Sequence, residues 1–184
     1  MGQDDSGGPG LRALVREDLE THRHHRLSPG FHALAVHRLG RAVYRDDRLL
    51  RRLGRPLYKA GQALVTGLYG IELPLSCRIG RRLFLPHPHG IVFVPGSVIG
   101  NDCMVRHNVT LGAAGHRKPG RPVVGDRVQF GPGSIVMGAV TIGDGALIGP
   151  GAVVVDDVPA GGRALAPRAE VRGAAGGLSA LRSP

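Results

Sequence analysis

From residue 79 onward an apolar side chain returns every six residues. Ile79, Leu85 and Ile91 keep that step, as do Ile99, Val105 and Leu111; Val124, Phe130, Val136, Ile142, Ile148 and Val154 then follow without a slip. Strands alternate with period two and helices repeat near 3.6, so neither accounts for such a phase. A prism-shaped coil does. Three short strands make one turn, a small residue bends each corner, and each inward side chain stacks on its counterpart about eighteen residues later, so that stability accumulates along the stack. A sandwich of valine-rich strands would not hold a six-residue phase. Composition agrees: 30 glycines in 184 residues, 4% aromatics and no tryptophan suit frequent sharp turns around a narrow core.

The period breaks twice. Between Ile91 and Ile99 the step is eight, which assigns a two-residue bulge to Pro95-Gly96. Between Leu111 and Val124 it is thirteen, which ejects a loop from Gly112 to Pro122. Insertions in solenoids tend to collect on one face and to carry binding sites.

Residues 1–70 read as a helical cap. Leu11, Leu14, Val15 and Leu19 have helical spacing, and Ser28-Pro29 is a helix start. Phe31, Leu34, Ala35, Leu39, Ala42 and Val43 share one face of the next helix, and Asp46-Asp47 opens a third that runs to about Tyr69. The cap would close the N-terminal end of the coil, which otherwise exposes strand backbone. The coil occupies 71–172. Residues 173–184 continue a run rich in Gly, Ala and Arg and read as a loose tail.

A net charge of +10 invites a nucleic-acid reading, but each part carries twelve basic and seven acidic residues, divided at residue 70, and no block is polybasic. We therefore expect no nucleic-acid partner. No apolar run approaches the ~20 residues of a spanning helix, so no membrane partner is expected either. Cys77 and Cys103 follow no secretory segment, and a reducing cytoplasm is the expected location. His22, His24 and His25 cluster without a nearby cysteine; they read as a solvated helix end, and no metal site is expected.

Several stretches together are distinctive: Ser28 to Leu34, Gly70 to Pro74, Ile79 to Val92, Val109-Thr110-Leu111-Gly112 and Gly145 to Pro159. On these the chain resembles the serine O-acetyltransferases of the hexapeptide-repeat acyltransferase superfamily. The resemblance runs from about residue 11 to about residue 172. It implies a mainly β fold, a left-handed parallel β-helix with an N-terminal α-helical cap. It also implies acetyl-CoA or another acyl-CoA as co-substrate, no metal, a small-molecule acceptor and a homotrimer.

His87 falls on the family's catalytic histidine and Glu72 on the carboxylate that orients it. The chemistry suits these types: a hydroxyl attacks a thioester only once a base removes its proton, and an imidazole, with an ordinary pKa of about 6.5, is suited to that. A carboxylate on the far ring nitrogen fixes the tautomer and stabilises the imidazolium. Pro86, His89, His107 and Arg121 are assigned to the acceptor. Gly112, Ala113 and Ala114 are assigned to the pantetheine arm, Gly131, Pro132 and Gly149 to the same donor groove, and Arg168 to the CoA phosphates.

The departures concern the acceptor. The aspartate that usually precedes the catalytic histidine is Pro86, a histidine just after Ile71-Glu72 is Pro74, and the loop's usual Arg-His-Pro ends as Gly120-Arg121-Pro122. Proline cannot pair with an ammonium group. The first expectation is therefore an acyltransferase with an altered, serine-like acceptor. A genuine serine O-acetyltransferase of cysteine biosynthesis is the second. A noncatalytic scaffold, or a user of an acyl-carrier-protein donor, is the third.

Overall fold

The computed structural model describes residues 9–45, 48–113 and 120–170. Among the described residues three helices precede twelve short strands. Helices α1 (Leu11–Thr21), α2 (Pro29–Arg45) and α3 (Arg48–Tyr69) fall where the apolar spacing places them, with α2 packed against both others. The proposed third-helix opening at Asp46-Asp47 lies outside the described residues, as do Ala114 and residues 171–184. Ala33, Leu34, Val43 and Val65 supply the buried faces of the cap.

The strands stack into three parallel ladders of four. The first face carries Arg78–Ile79, Val98–Ile99, Val123–Val124 and Thr141–Ile142. The second carries Met104–Val105, Gln129–Phe130, Leu147–Ile148 and Arg163–Ala164, and the third Val92–Phe93, Thr110–Gly112, Ile135–Met137 and Val153–Val154. All twelve periodic residues are buried. The fold is a left-handed β-helix with N-terminal helices.

One feature of the period differs from the sequence reading. Phe93, not Ile91, is the inward partner of Leu111. The unbroken phase is Phe93, Ile99, Val105 and Leu111, so the eight-residue step lies between Leu85 and Phe93. Its two extra residues fall within 86–90 and not at Pro95-Gly96. Pairing offsets agree: Arg78 faces Val98 and Phe84 faces Met104, each twenty residues on, whereas Val92 faces Thr110 at eighteen. Ile91 hid the slip because it is itself aliphatic and fully buried, two positions before Phe93, where regular turns keep small residues such as Ser97 and Cys103.

The corners need left-handed backbone. Arg82, Asp102 and Arg127 hold φ of 55–58° at one corner. A ladder of side-chain oxygens spans it: Asn101 Oδ1 accepts the Arg81 N–H at 2.8 Å, and Asp126 Oδ1 accepts the Asn101 N–H at 2.7 Å. These local bonds offset the cost of αL backbone in non-glycine residues.

The cap is fixed to the coil by a buried arginine that is itself ion-paired within the cap. Arg38 of α2 donates Nε to Asp18 Oδ2 at 3.0 Å, and its Nη1 and Nη2 reach the carbonyls of Ile79 and Gly80 at 2.6 Å each.

Candidate active site

The slipped step creates the site. Two additional residues between Leu85 and Phe93 lift Pro86, His87 and Pro88 off the regular ladder. His87 has φ of 52° and an exposed ring, whereas Pro88 beside it is buried. Proline at both neighbours restricts the backbone on either side of the histidine.

The helical cap supports this bulge from outside. His22, at the C-terminal end of α1, is only 4% exposed. Its Nδ1 lies 2.7 Å from the Asp18 carbonyl, and its Nε2 accepts the Leu85 N–H at 3.2 Å. Those partners fix the neutral tautomer with the proton on Nδ1. The ring meets Phe84 edge-on with centroids 5.4 Å apart. Burial pushes its pKa down, and the Asp18 carbonyl and carboxylate pull it part of the way back. His22 thus departs from the solvated helix end read from the sequence; His24 and His25 are exposed. The signal was present: residues 11, 15, 18 and 22 continue one helical stripe, so Asp18 and His22 belong to the buried face.

Gly30 lets α2 approach closely. A Cβ there would lie 2.7 Å from the Leu85 carbonyl oxygen and 2.8 Å from His22 Nε2. Between cap and bulge lies a groove of about 400 Å³ lined by His22, Arg23, His25, Ser28, Phe84, Leu85, Pro86 and His87.

Glu72 runs alongside the bulge. It bridges to Val92, and the Gly90 N–H donates to the Tyr69 carbonyl at 3.1 Å. Its carboxylate is exposed and forms no hydrogen bond with His87 or ion pair with Arg78 among the described residues. His89 and His107 sit at this same corner: the Asn108 N–H donates to the His89 carbonyl and the Gly133 N–H to that of His107. The His89 ring stands edge-on to Tyr69, and Tyr69 stacks on His32.

Arg121 lies elsewhere. It covers Gly96 and donates to the Pro95 carbonyl at the next corner. Gly112 and Ala113 also belong to the end of the third face that leads there. Gly131, Pro132 and Gly149, by contrast, come together on the second face in a groove of about 330 Å³ with Met104, Arg106 and Leu165. Packing alone accounts for two of these glycines: a Cβ on Gly131 would meet Pro150 N at 2.5 Å, and one on Gly149 would meet Leu165 Cδ2 at 2.8 Å. Arg168 is exposed. One chain therefore brings His87, His89, His107 and Glu72 near one corner and leaves Gly112, Ala113 and Arg121 at another.

Neither cysteine is placed to act as a nucleophile. Cys77 and Cys103 are buried, their thiols donate to the carbonyls of Val94 and Gly125, and burial pushes Cys103 up to about 11. Among the described residues there is no cluster of three or more His, Cys, Asp or Glu that could hold a metal. No described helix is long and apolar enough to cross a membrane.

Residues 121–156 match the family described as bacterial transferase hexapeptide (six repeats). The serine acetyltransferase of Helicobacter pylori is 38% identical over 115 residues, covering 62% of this chain and 64% of that protein. That of Mycobacterium tuberculosis is 35% identical over 113 residues, 61% of this chain and 47% of its own length. The chain thus spans under two thirds of the curated relatives it matches. Soybean serine acetyltransferase, solved as the apoenzyme, superposes with a TM-score of 0.72 at 30% identity, over 90% of this chain and 70% of that one. The Neisseria gonorrhoeae serine acetyltransferase, solved in complex with serine, gives 0.70 at 29%, over 88% and 68%.

Proposed function

This chain belongs to the serine acetyltransferase-like family of hexapeptide acyltransferases, and from that premise we propose that it moves an acyl group from a CoA thioester to a small acceptor by direct transfer. The observation that carries the reading is His87: exposed, in left-handed backbone, at the slipped step, and opening on a groove large enough for a small molecule.

In this reaction the acceptor hydroxyl gives its proton to His87 as its oxygen attacks the thioester carbonyl. The new C–O bond forms, the C–S bond breaks, and the imidazolium returns the proton to the departing thiolate. Glu72 is assigned to orient the ring once substrates close the site. The donor runs over Gly131, Pro132 and Gly149, whose groove is apolar enough for a pantetheine arm. Gly112, Ala113 and Arg121 sit one corner away, a separation that a second copy of the prism would bridge in the homotrimer that the family resemblance implies. L-serine is the second reading for the acceptor, favoured by the relatives named serine acetyltransferase.

Thiol release from acetyl-CoA, measured with L-serine and with a panel of alcohols and amines, tests the proposal. His87→Ala should reduce turnover by about 10²–10⁴-fold on the preferred acceptor, the usual contribution of a general base. Undiminished turnover would remove His87 from the chemistry.

A further inference from the structure

We infer that the groove beside His87 takes an acceptor bearing a carboxylate and no ammonium group: a small hydroxy acid, not an amino acid. The inference rests on the acyl-transfer reading and deepens it.

Among the described residues the groove carries no acidic side chain. Its charged or titratable lining is Arg23, His22, His25 and His87. The carboxylates of α1 that could have balanced them are engaged elsewhere. Glu17 accepts from Arg81 at 2.7 Å and from Arg82 at 3.0 Å, Asp18 is held by Arg38, and Glu20 pairs with Arg16 at 3.0 Å. Arg23 has no acidic partner among the described residues. Glu72 lies on the neighbouring strand and does not line the groove.

Backbone does not substitute for the missing carboxylate. The end of α1 would be the natural place to receive an ammonium, since its last carbonyls carry partial negative charge. Here four carbonyls of its last turns already accept: Glu17 O from the Thr21 hydroxyl, Asp18 O from the His22 N–H, Leu19 O from the His24 N–H and Glu20 O from the Arg23 N–H. His22 Nε2 already accepts from Leu85. An ammonium entering here would give up water for no carboxylate, with a neutral hydroxyl at Ser28 and a guanidinium at Arg23, whereas a carboxylate would gain Arg23. The acceptor's hydroxyl then meets His87, and the transfer proceeds as above: proton to His87, C–O bond made, C–S bond broken, proton to the thiolate.

Four acceptors offered to the full chain with acetyl-CoA separate the possibilities: L-serine, glycerate, 3-hydroxypropionate and an uncharged diol. The first three share a hydroxymethyl group next to a carbon bearing carboxylate, and differ only in whether that carbon holds ammonium, hydroxyl or hydrogen. We expect kcat/KM for the two hydroxy acids to exceed that for L-serine by about tenfold or more, since the site rejects a group it leaves unpaired. Their KM should rise with added salt, and Arg23→Glu should raise it about fivefold with kcat little changed. L-serine or the diol matching the hydroxy acids, or Arg23→Glu leaving KM unmoved, would overturn the inference while leaving acyl transfer intact. No transfer to any of the four would overturn the inference, and no thiol release with any acceptor of the wider panel would remove acyl transfer as well.

Discussion

The hydrogen bond from Leu85 N–H to His22 makes a quantitative prediction. Leu85 is 1% exposed, and the His22 imidazole is the partner that satisfies its N–H. Leaving a buried donor unsatisfied costs about 1–3 kcal/mol. The edge-on contact with Phe84, at 5.4 Å, adds about 0.5–1.5 kcal/mol. His22→Ala loses both and should destabilise the chain by about 2–4 kcal/mol, whereas His22→Phe keeps a ring against Phe84 and should lose about 1–3 kcal/mol. Urea unfolding at fixed protein concentration, followed by circular dichroism, reads both. The pH dependence separates the hydrogen bond from mere packing. Burial holds the folded pKa of His22 below its unfolded value near 6.5. Between those two values the unfolded chain binds the extra proton, so wild-type stability falls as pH drops below about 6.5 and levels off below the folded pKa. His22→Phe should lose that share of the acid sensitivity. If His22→Phe unfolds at the wild-type urea midpoint with the same pH profile, the cap does not hold the bulge through this bond.

Asp18→Asn would leave the Arg38 guanidinium, 7% exposed, without its counter-charge, and should cost about 3–5 kcal/mol in the same urea assay. His37 is 2% exposed, with its pKa pushed down to about 4 chiefly by burial and by Arg38 and Arg41; the carbonyls of Pro74 and Cys77 pull it the other way, though neither forms a hydrogen bond of ordinary geometry with the ring. Its unfolded state therefore takes up a proton first as pH falls, and wild type should lose about 3 kcal/mol between pH 6.5 and 4 that a His37→Leu variant does not lose. Gly131→Ala would force a Cβ to 2.5 Å from the Pro150 backbone nitrogen and should cost about 1–3 kcal/mol, read from the shift in urea midpoint.

The fold was legible because each turn repeats the same demand. A narrow prism accepts one inward apolar residue per strand, and all twelve positions read from the sequence are buried. The helices were legible for a similar reason, since each shows one apolar face. What the period could not show is where a slip falls when a neighbouring residue also satisfies it. Ile91 is as apolar as Phe93 and as deeply buried, so counting alone moved the extra residues a strand too far. The site was legible only in part. His87 was assigned through the resemblance, not through the period. His22 was read as solvated because three histidines and an arginine in a row look polar, although the α1 stripe carries through residue 22. Arg121 was likewise assigned through the resemblance, and within one chain it occupies a different corner from His87. Sequence order does not say which corner of a prism a loop leaves from.

The hydrogen bonding of the first turn ties the cap to the bulge. In a regular turn each strand donates to the one before it, as the Val105 N–H donates to the Phe84 carbonyl at 2.9 Å, and its own carbonyls receive in return, as Ile99 O receives the Gly80 N–H at 2.8 Å. The first full turn has no predecessor at Leu85 or at Ile79. There the helical cap stands in for the missing strand: His22 Nε2 accepts the Leu85 N–H, and Arg38 donates to Ile79 O and Gly80 O. Side chains on helices need not follow the six-residue step. They can therefore support a turn that has gained two residues, which another coil in register could not do without losing its own ladder. The bulge bearing His87 is accordingly found where a helix lies on one side of the turn. A shift in α1 large enough to withdraw His22 would free the Leu85 N–H and release the segment two residues from His87. The cap, beyond closing the end of the coil, holds the geometry on which the proposed chemistry depends.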